Sequence, residues 1–170
     1  MNSRVLFRSL SASALAAALL LTGCSSADSG SQAEAVTVHD AWVKAADADM
    51  TAAFARLVNT GSGAARLLSA TSPASADVEI HEVVDNVMRT KDDGVVIPAR
   101  GEIELQPGGD HLMLIDLGEP LTPGTDVEIV ATFEDGSRLP ITAQVRDFAG
   151  ADENYAPDAH AEHGSHESHG

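Results

Sequence analysis

DVEIHEVVDNVMRT, residues 77–90, predicts a β-hairpin and with it the fold class of the chain. Apolar and polar side chains alternate on both sides of Asp85-Asn86, and a period of two is typical of strands that bury one face. Asp and Asn are favoured in two-residue hairpin turns. Such a turn sets three cross-strand pairs: Val84–Val87, Val83–Met88 and His81–Thr90. His81 and Met88 then share one face as diagonal neighbours, within bridging reach through a shared ion.

Short β-type segments continue along residues 35–148, separated by turn sequences such as NTGSG, PGGD and EDGS. No segment has the sustained 3.6-residue periodicity of a long amphipathic helix, although MTAAFARL, residues 50–57, fits a helix as well as a strand. This pattern predicts one all-β domain, an antiparallel β-sandwich spanning residues 35–148.

The segment HLMLIDL, residues 111–117, contains a second histidine–methionine pair. In a strand, His111, Met113 and Ile115 share one face, and Leu112, Leu114 and Asp116 share the other. Thioethers are soft, uncharged ligands that favour Cu(I), and imidazole also binds Cu(I) well. A methionine on a strand face is also common core packing, so each pair taken alone leaves both interpretations open. Two such pairs on consecutive strand units favour a metal site.

The chain contains a single cysteine, Cys24. If Cys24 carries a lipid, the folded region has no thiol. Disulfides, zinc–cysteine sites and thiol redox chemistry are then excluded. A blue-copper electron-transfer centre is excluded as well, because it requires a cysteine thiolate on the metal.

The N-terminal residues 1–23 have the character of a signal peptide. Arg4 and Arg8 precede a short apolar run, and LTGC, residues 21–24, resembles the lipobox at which bacterial lipoproteins are cleaved and lipidated. This predicts an extracytoplasmic protein anchored to the membrane through Cys24; the alternative is a soluble secreted protein. Residues 24–34 are predicted to be a flexible tether.

The C-terminal residues 149–170 are polar and have no apolar periodicity, which predicts a disordered tail. Four histidines recur in it at intervals of three: His160, His163, His166 and His169. A flexible histidine-rich segment is a candidate for capturing Cu(II) or Zn(II); the alternative is a low-complexity solubilising tail.

The formal net charge of −16 disfavours nucleic acid as a partner. It favours cations or a basic protein surface, and it also keeps a protein soluble. The sequence contains no nucleophile–base pair and no glycine-rich phosphate loop, so the prediction is that the protein is not an enzyme.

Residues 36–147 resemble the PCu(A)C-type periplasmic copper chaperones. The likeness lies in AWVKAADADMTAAFARLVNTGSGAARLLSATSPASADVEIHEVV, VMRT and VIPARGEIELQPGGDHLMLIDL. This resemblance implies a cupredoxin-like β-sandwich and a Cu(I) site made by a histidine, a downstream methionine and a His-x-Met pair. Carried over by position, the ligands are His81, Met88, His111 and Met113. It also implies delivery of copper to the binuclear centre of cytochrome c oxidase.

The chain departs from the family pattern at one ligand. Many members read Met-Arg-Met where this chain reads Met88-Arg89-Thr90, and the downstream methionine is often the ligand. Thr90 has no soft donor, so Met88 takes that role and the spacing from His81 becomes shorter. Met50 is the alternative thioether.

These observations predict a lipid-anchored, extracytoplasmic Cu(I) chaperone. Its partner would be a copper-accepting membrane protein, such as a cytochrome c oxidase subunit or its assembly factor, and copper would pass by ligand exchange. Two alternatives remain at this point: a lipid-anchored β-sandwich that serves as an interaction module, and a zinc or copper scavenger that acts through its histidine-rich tail.

Overall fold

A computed structural model describes residues 30–150 and the backbone of residues 154 and 155. Cys24, the predicted signal peptide and the four tail histidines lie outside the described residues. The elements are α1 (Gln32–Ala35), β1 (Val36–Lys44), β2 (Met50–Asn59), β3 (Ala65–Thr71), β4 (Ser75–Val84), β5 (Val87–Thr90), β6 (Val95–Ile97), β7 (Glu102–Leu105), β8 (His111–Leu117), β9 (Asp126–Phe133), β10 (Arg138–Arg146) and β11 (Asn154–Tyr155). No helix in this part of the chain is long and apolar enough to cross a membrane.

The strands form one hydrogen-bonded path in the order β11-β5-β4-β8-β2-β1-β10-β9-β3-β6, with β7 paired to β2. Most neighbours are antiparallel; β1 with β10 and β11 with β5 run parallel. The path encloses an apolar core, to which β4 and β8 contribute Ile80 and Leu114, and β9 contributes Phe133. The prediction of an all-β sandwich is confirmed.

The predicted hairpin is confirmed in register. β4 and β5 pair His81 with Thr90, Val83 with Met88 and Val84 with Val87. The two turn residues, Asp85 and Asn86, have φ values of 53° and 64°. Left-handed backbone at both central positions is what a type I′ turn requires, and Asp and Asn tolerate it better than most residues.

The ambiguous segment at residues 50–57 belongs to strand β2. β2 lies between β1 on one side and β8 and β7 on the other, and most of its residues are buried. A central strand covered on both faces has no polar side, so its sequence lacks the alternation that identifies a strand.

The helical turn α1 begins inside the stretch predicted as a tether, residues 24–34, and ends one residue beyond it. Ser31 and Glu34 form a capping box: the Ser31 hydroxyl accepts from the Glu34 backbone N–H, and the Glu34 carboxylate accepts from the Ser31 backbone N–H at 2.8 Å. The backbone N–H and the hydroxyl of Ser31 both donate hydrogen bonds to the Glu34 carboxylate and lower its pKa from the usual value of 4.5. The S-x-x-E motif was therefore a local signal for this turn.

Beyond β10 the chain returns across the outside of the sheet. Phe148 meets the edge of Trp42 with ring centroids 5.2 Å apart, and Lys44 Nζ donates a hydrogen bond to the carbonyl of Gly150. The backbone at residues 154 and 155 then pairs with β5 beside Val87 and Met88. This return segment, residues 147–150 and 154–155, begins just before the stretch predicted as a tail.

Candidate metal centre

Strands β4, β8 and β2 have two different faces. The inward face is aliphatic and belongs to the sandwich core. The opposite face contains a second buried group, here called the outer cluster: Ala52, Phe54, Met88 and Met113, with Trp42 and Ile115 packed against it. The predicted alternation along residues 111–115 is confirmed, since Leu112 and Leu114 join the core while Met113 and Ile115 join the outer cluster.

The two candidate histidines are direct neighbours on this outer face. β4 and β8 pair antiparallel, and their register places His81 opposite His111. The ring centroids are 5.7 Å apart and the planes are inclined at 63°. Their exposed fractions are 0% and 1%. Two buried imidazoles from separate strands therefore form the centre of the candidate site.

A backbone carbonyl orients the ring of His111. Its Nδ1 lies 2.9 Å from the carbonyl oxygen of Gly109, in the turn just before β8. A carbonyl can only accept, so Nδ1 carries the proton and the lone pair of the neutral ring lies on Nε2. On its other side the ring approaches Phe54, with centroids 6.1 Å apart.

A carboxylate orients the ring of His81. Nε2 lies 2.6 Å from Oε2 of Glu79, which stands two residues earlier on the same face of β4. The hydroxyl of Thr90, directly across on β5, is 3.5 Å from the same oxygen. The sequence reasoning did not single out Glu79 as a functional residue. The signal available was the alternation in DVEIHEVV, which puts positions 79 and 81 on one face.

Two of the three candidate thioethers are buried on the same face of the sheet as the histidines. Met88 and Met113 are 4% and 5% exposed and belong to the same outer cluster. Met50 is 36% exposed and pairs with Ile115, two residues along β8 from Met113. Met50 therefore lies at the rim, and Met88 lies diagonally across the hairpin from His81.

An ion-pair network lies beside the site, and its ion pairs involve neither imidazole. Lys91 Nζ lies 2.9 Å from Asp110 Oδ1 and 3.2 Å from Glu82 Oε2, so it connects the end of β5 to the residues beside each histidine. Burial alone would lower the pKa of Lys91, but its hydrogen bonds to Asp110 and Glu82 outweigh that effect and raise it. Hydrogen bonds from Arg89 and Lys91 lower the pKa of Glu82.

The donor types decide which ion the site would suit. Within residues 30–150, no group of three or more His, Cys, Asp or Glu side chains is arranged to hold a metal. The candidate set offers two imidazoles and two thioethers beside aromatic and aliphatic side chains. This set matches the soft, singly charged Cu(I) ion, whereas Mg²⁺ and Ca²⁺ prefer several oxygen ligands.

Comparison with known proteins gives a family match over the sandwich. The family model described as "Putative lipoprotein LpqE-like" matches residues 36–145. A relative from Leifsonia xyli subsp. xyli, named "Putative lipoprotein Lxx21020", is 44% identical over 159 residues, which cover 87% of this chain and 96% of that protein.

Solved structures share the fold. The copper-bound PCuAC domain from PmoF2 superimposes with a TM-score of 0.58 at 21% identity and covers 66% of this chain and 93% of that domain. The solution structure of CuI-DR1885 from Deinococcus radiodurans gives a TM-score of 0.52 at 29% identity and covers 69% and 84% of the two chains. The resemblance to PCuAC-type domains and the predicted cupredoxin-like sandwich are confirmed.

Proposed function

Since this chain belongs to the LpqE-like lipoprotein family, we propose that it is an extracytoplasmic, lipid-anchored chaperone that binds one Cu(I) ion in its β-sandwich and passes it to a partner. One observation carries this proposal. His81 and His111 lie buried side by side on the outer face of the sheet, next to the cluster that contains Met88 and Met113. The fold relatives that were solved as a copper-bound PCuAC domain and as CuI-DR1885 support the same cargo.

The proposed ligands are His81, Met88, His111 and Met113. Hydrogen bonding leaves the lone pairs on Nδ1 of His81 and Nε2 of His111, and both of these atoms are buried. Neutral donors bind Cu(I) without losing a proton, unlike a thiol, so loading and release need no proton transfer at the ligands. An absence of thiols also suits an oxidising compartment, where exposed cysteines are easily oxidised.

Transfer by ligand exchange fits this set of donors. A partner would replace the site's ligands one at a time, so that copper is never released to water. Thioethers are uncharged and flexible, and Met88 stands on the four-residue strand β5, whose outer neighbour is the two-residue strand β11. We propose that the thioethers leave first and the hydrogen-bonded imidazoles last.

The proposed acceptor is a copper-binding membrane protein, such as a cytochrome c oxidase subunit or its assembly factor. The resemblance to PCu(A)C-type chaperones supports this choice. The negative net charge would favour approach to an acceptor with a basic docking surface. Lipidation of Cys24 in LTGC would keep the chaperone at the same membrane.

An anaerobic Cu(I) titration against a competing chelator tests the proposal. The chain from Ser25 onward would be used, with His160, His163, His166 and His169 replaced by alanine. One tightly bound Cu(I) per chain is the expected result. Absence of competitive binding would indicate an interaction module instead. Binding that requires the tail histidines would indicate a scavenger that acts through its tail.

A further inference from the structure

Glu79 occupies a position that apolar packing does not explain. Register places it directly opposite Met113 on β8 and beside the buried His81. Its side chain is 30% exposed, so much of the carboxylate is removed from water. Partial burial of a charge costs free energy unless hydrogen bonds compensate it. Among residues 30–150, this carboxylate lies within hydrogen-bonding distance of the His81 ring and, at 3.5 Å, of the Thr90 hydroxyl.

Resting on the function proposed above, we infer that Glu79 is a positioning residue of the copper site, which holds His81 as the Nε2–H tautomer so that Nδ1 faces the metal. A carboxylate accepts hydrogen bonds and donates none, so the 2.6 Å contact assigns the proton to Nε2. The contact also restricts rotation of the ring about its Cβ–Cγ bond.

The two histidines would then bind copper through different nitrogens. Glu79 holds Nε2 of His81, whereas the carbonyl of Gly109 holds Nδ1 of His111. His81 would ligate through Nδ1 and His111 through Nε2. Hydrogen bonds from carboxylates and carbonyls to ligating imidazoles fix the tautomer and increase the electron density on the ligating nitrogen. The carboxylate does this for His81 with a full negative charge.

The chain supplies a matched control on the same strand. Glu82 is an odd number of positions from Glu79 on β4 and bonds to Arg89 and Lys91 instead of a histidine. Removing either carboxylate changes the net charge equally, but only Glu79→Ala removes the acceptor of His81. Glu79→Gln keeps an oxygen acceptor at the same place without the charge.

The test measures two properties in each variant of the chain from Ser25 with the four tail histidines replaced by alanine. Long-range ¹H–¹⁵N correlation spectra of the metal-free protein give the tautomer of His81, and chelator competition gives the Cu(I) affinity. We expect Glu79→Ala to lose the single Nε2–H tautomer and about 10- to 100-fold in affinity, the usual cost of removing an outer partner of a metal-bound histidine. Glu79→Gln should keep the tautomer and most of the affinity, and Glu82→Gln should change neither.

Unchanged tautomer and affinity in Glu79→Ala would overturn the inference, and so would an equal loss in Glu82→Gln. If Glu79→Ala does not fold, Glu79→Leu fills the same space without an acceptor and gives the same comparison. Failure of the proposed function has a different signature. In that case the parent chain itself would not compete for Cu(I), while the tautomer spectra would still report whether Glu79 holds the His81 ring.

Discussion

Strands β4 and β8 have fully buried residues on both faces, but the two faces differ chemically. Leu114 on the inner face and His81 on the outer face are both 0% exposed. The inner face consists of aliphatic side chains that gain free energy simply by leaving water. The imidazoles of the outer face gain less and need hydrogen bonds, which Glu79 and Gly109 accept. A face with this composition is better suited to binding than to stabilising the fold.

This contrast predicts that a substitution on the inner face lowers stability without changing Cu(I) affinity, and that a substitution on the outer face does the opposite. Leu114→Ala leaves a cavity in the core and should lower the free energy of unfolding by about 2–5 kcal/mol. Urea denaturation measures that loss. The fraction that stays folded should bind Cu(I) with unchanged affinity, because Leu114 points away from the site. A drop in affinity as large as that of a ligand variant would show that the two faces are not independent.

The reverse pattern is expected for His111→Leu. Removal of a proposed ligand should lower Cu(I) affinity by more than about 100-fold, beyond the cost of losing an outer partner. The free energy of unfolding without copper should fall by about 1 kcal/mol, because leucine fills the space while the hydrogen bond to Gly109 is lost. Chelator competition and urea denaturation give the two values. Unchanged affinity would remove His111 from the site.

A comparison of Met88 with Met50 tests how far the proposed copper site extends toward the rim of the outer cluster. Met88→Leu should lower Cu(I) affinity about tenfold, which corresponds to about 1.4 kcal/mol. Met50→Leu is the matched control and should change it less than about twofold, because Met50 lies at the rim opposite Ile115. The same chelator competition measures both. A larger loss for Met50→Leu would mean that the second thioether was wrongly assigned.

A substitution in the return segment should have a smaller effect, which would be seen in the rate of Cu(I) release instead of the affinity. Phe148→Ala removes the edge contact with Trp42 at the border of the outer cluster. Because an aromatic pair contributes about 0.5–1.5 kcal/mol, transfer of Cu(I) to a chelator should accelerate roughly 2- to 12-fold. Stopped-flow mixing measures the rate. Val96→Ala on β6 removes a similarly exposed side chain away from the site and should leave the rate unchanged. Equal rates in both variants would contradict a role for Phe148 in release.

The smallest effect is expected at α1, which packs mainly against β1, β3, β9 and β10 instead of the histidine strands β4 and β8. The folded-state pKa of Glu34 is below its usual 4.5, so the charged carboxylate stabilises the fold above pH 4.5. That contribution disappears as the pH falls through the lowered pKa. Glu34→Gln should therefore be slightly less stable than the parent at pH 7 and equally stable at the lowest pH. Thermal unfolding across this range measures the difference; a gap that persists at low pH would exclude the capping box as its source.

Local patterns predicted the parts of the molecule that local geometry controls. The Asp85-Asn86 turn determined the hairpin register, and with it the relation of His81 to Met88. Alternation determined which of residues 111–115 point outward. Where a strand is covered on both sides, as in β2, alternation is absent and the sequence left its conformation open. The turn α1 had a local signal, the capping box of Ser31 and Glu34, but it lay within a polar segment that was interpreted as a tether.

The candidate site depends on pairings that no local pattern specifies. The sequence predicted two separate histidine–methionine pairs and did not place the histidines opposite each other. Their adjacency follows from the pairing of β4 with β8, which are separated by three other strands in the chain. The proposed role of Glu79 depends on burial as well. A fully exposed carboxylate would be hydrated by water and would not hold a short hydrogen bond to one imidazole.

The sequence by itself determined the chemistry that the protein can use: a single cysteine outside the described sandwich, histidines and methionines at alternating strand positions, and an acidic balance. Side-chain identity and a period of two are enough for that. Tertiary structure decided which of these groups meet. It placed His81 beside His111, Met88 inside the outer cluster and Met50 at its rim. The physical reason is that strand pairing between distant segments depends on how the whole sheet buries its apolar surface, and no single segment contains that information.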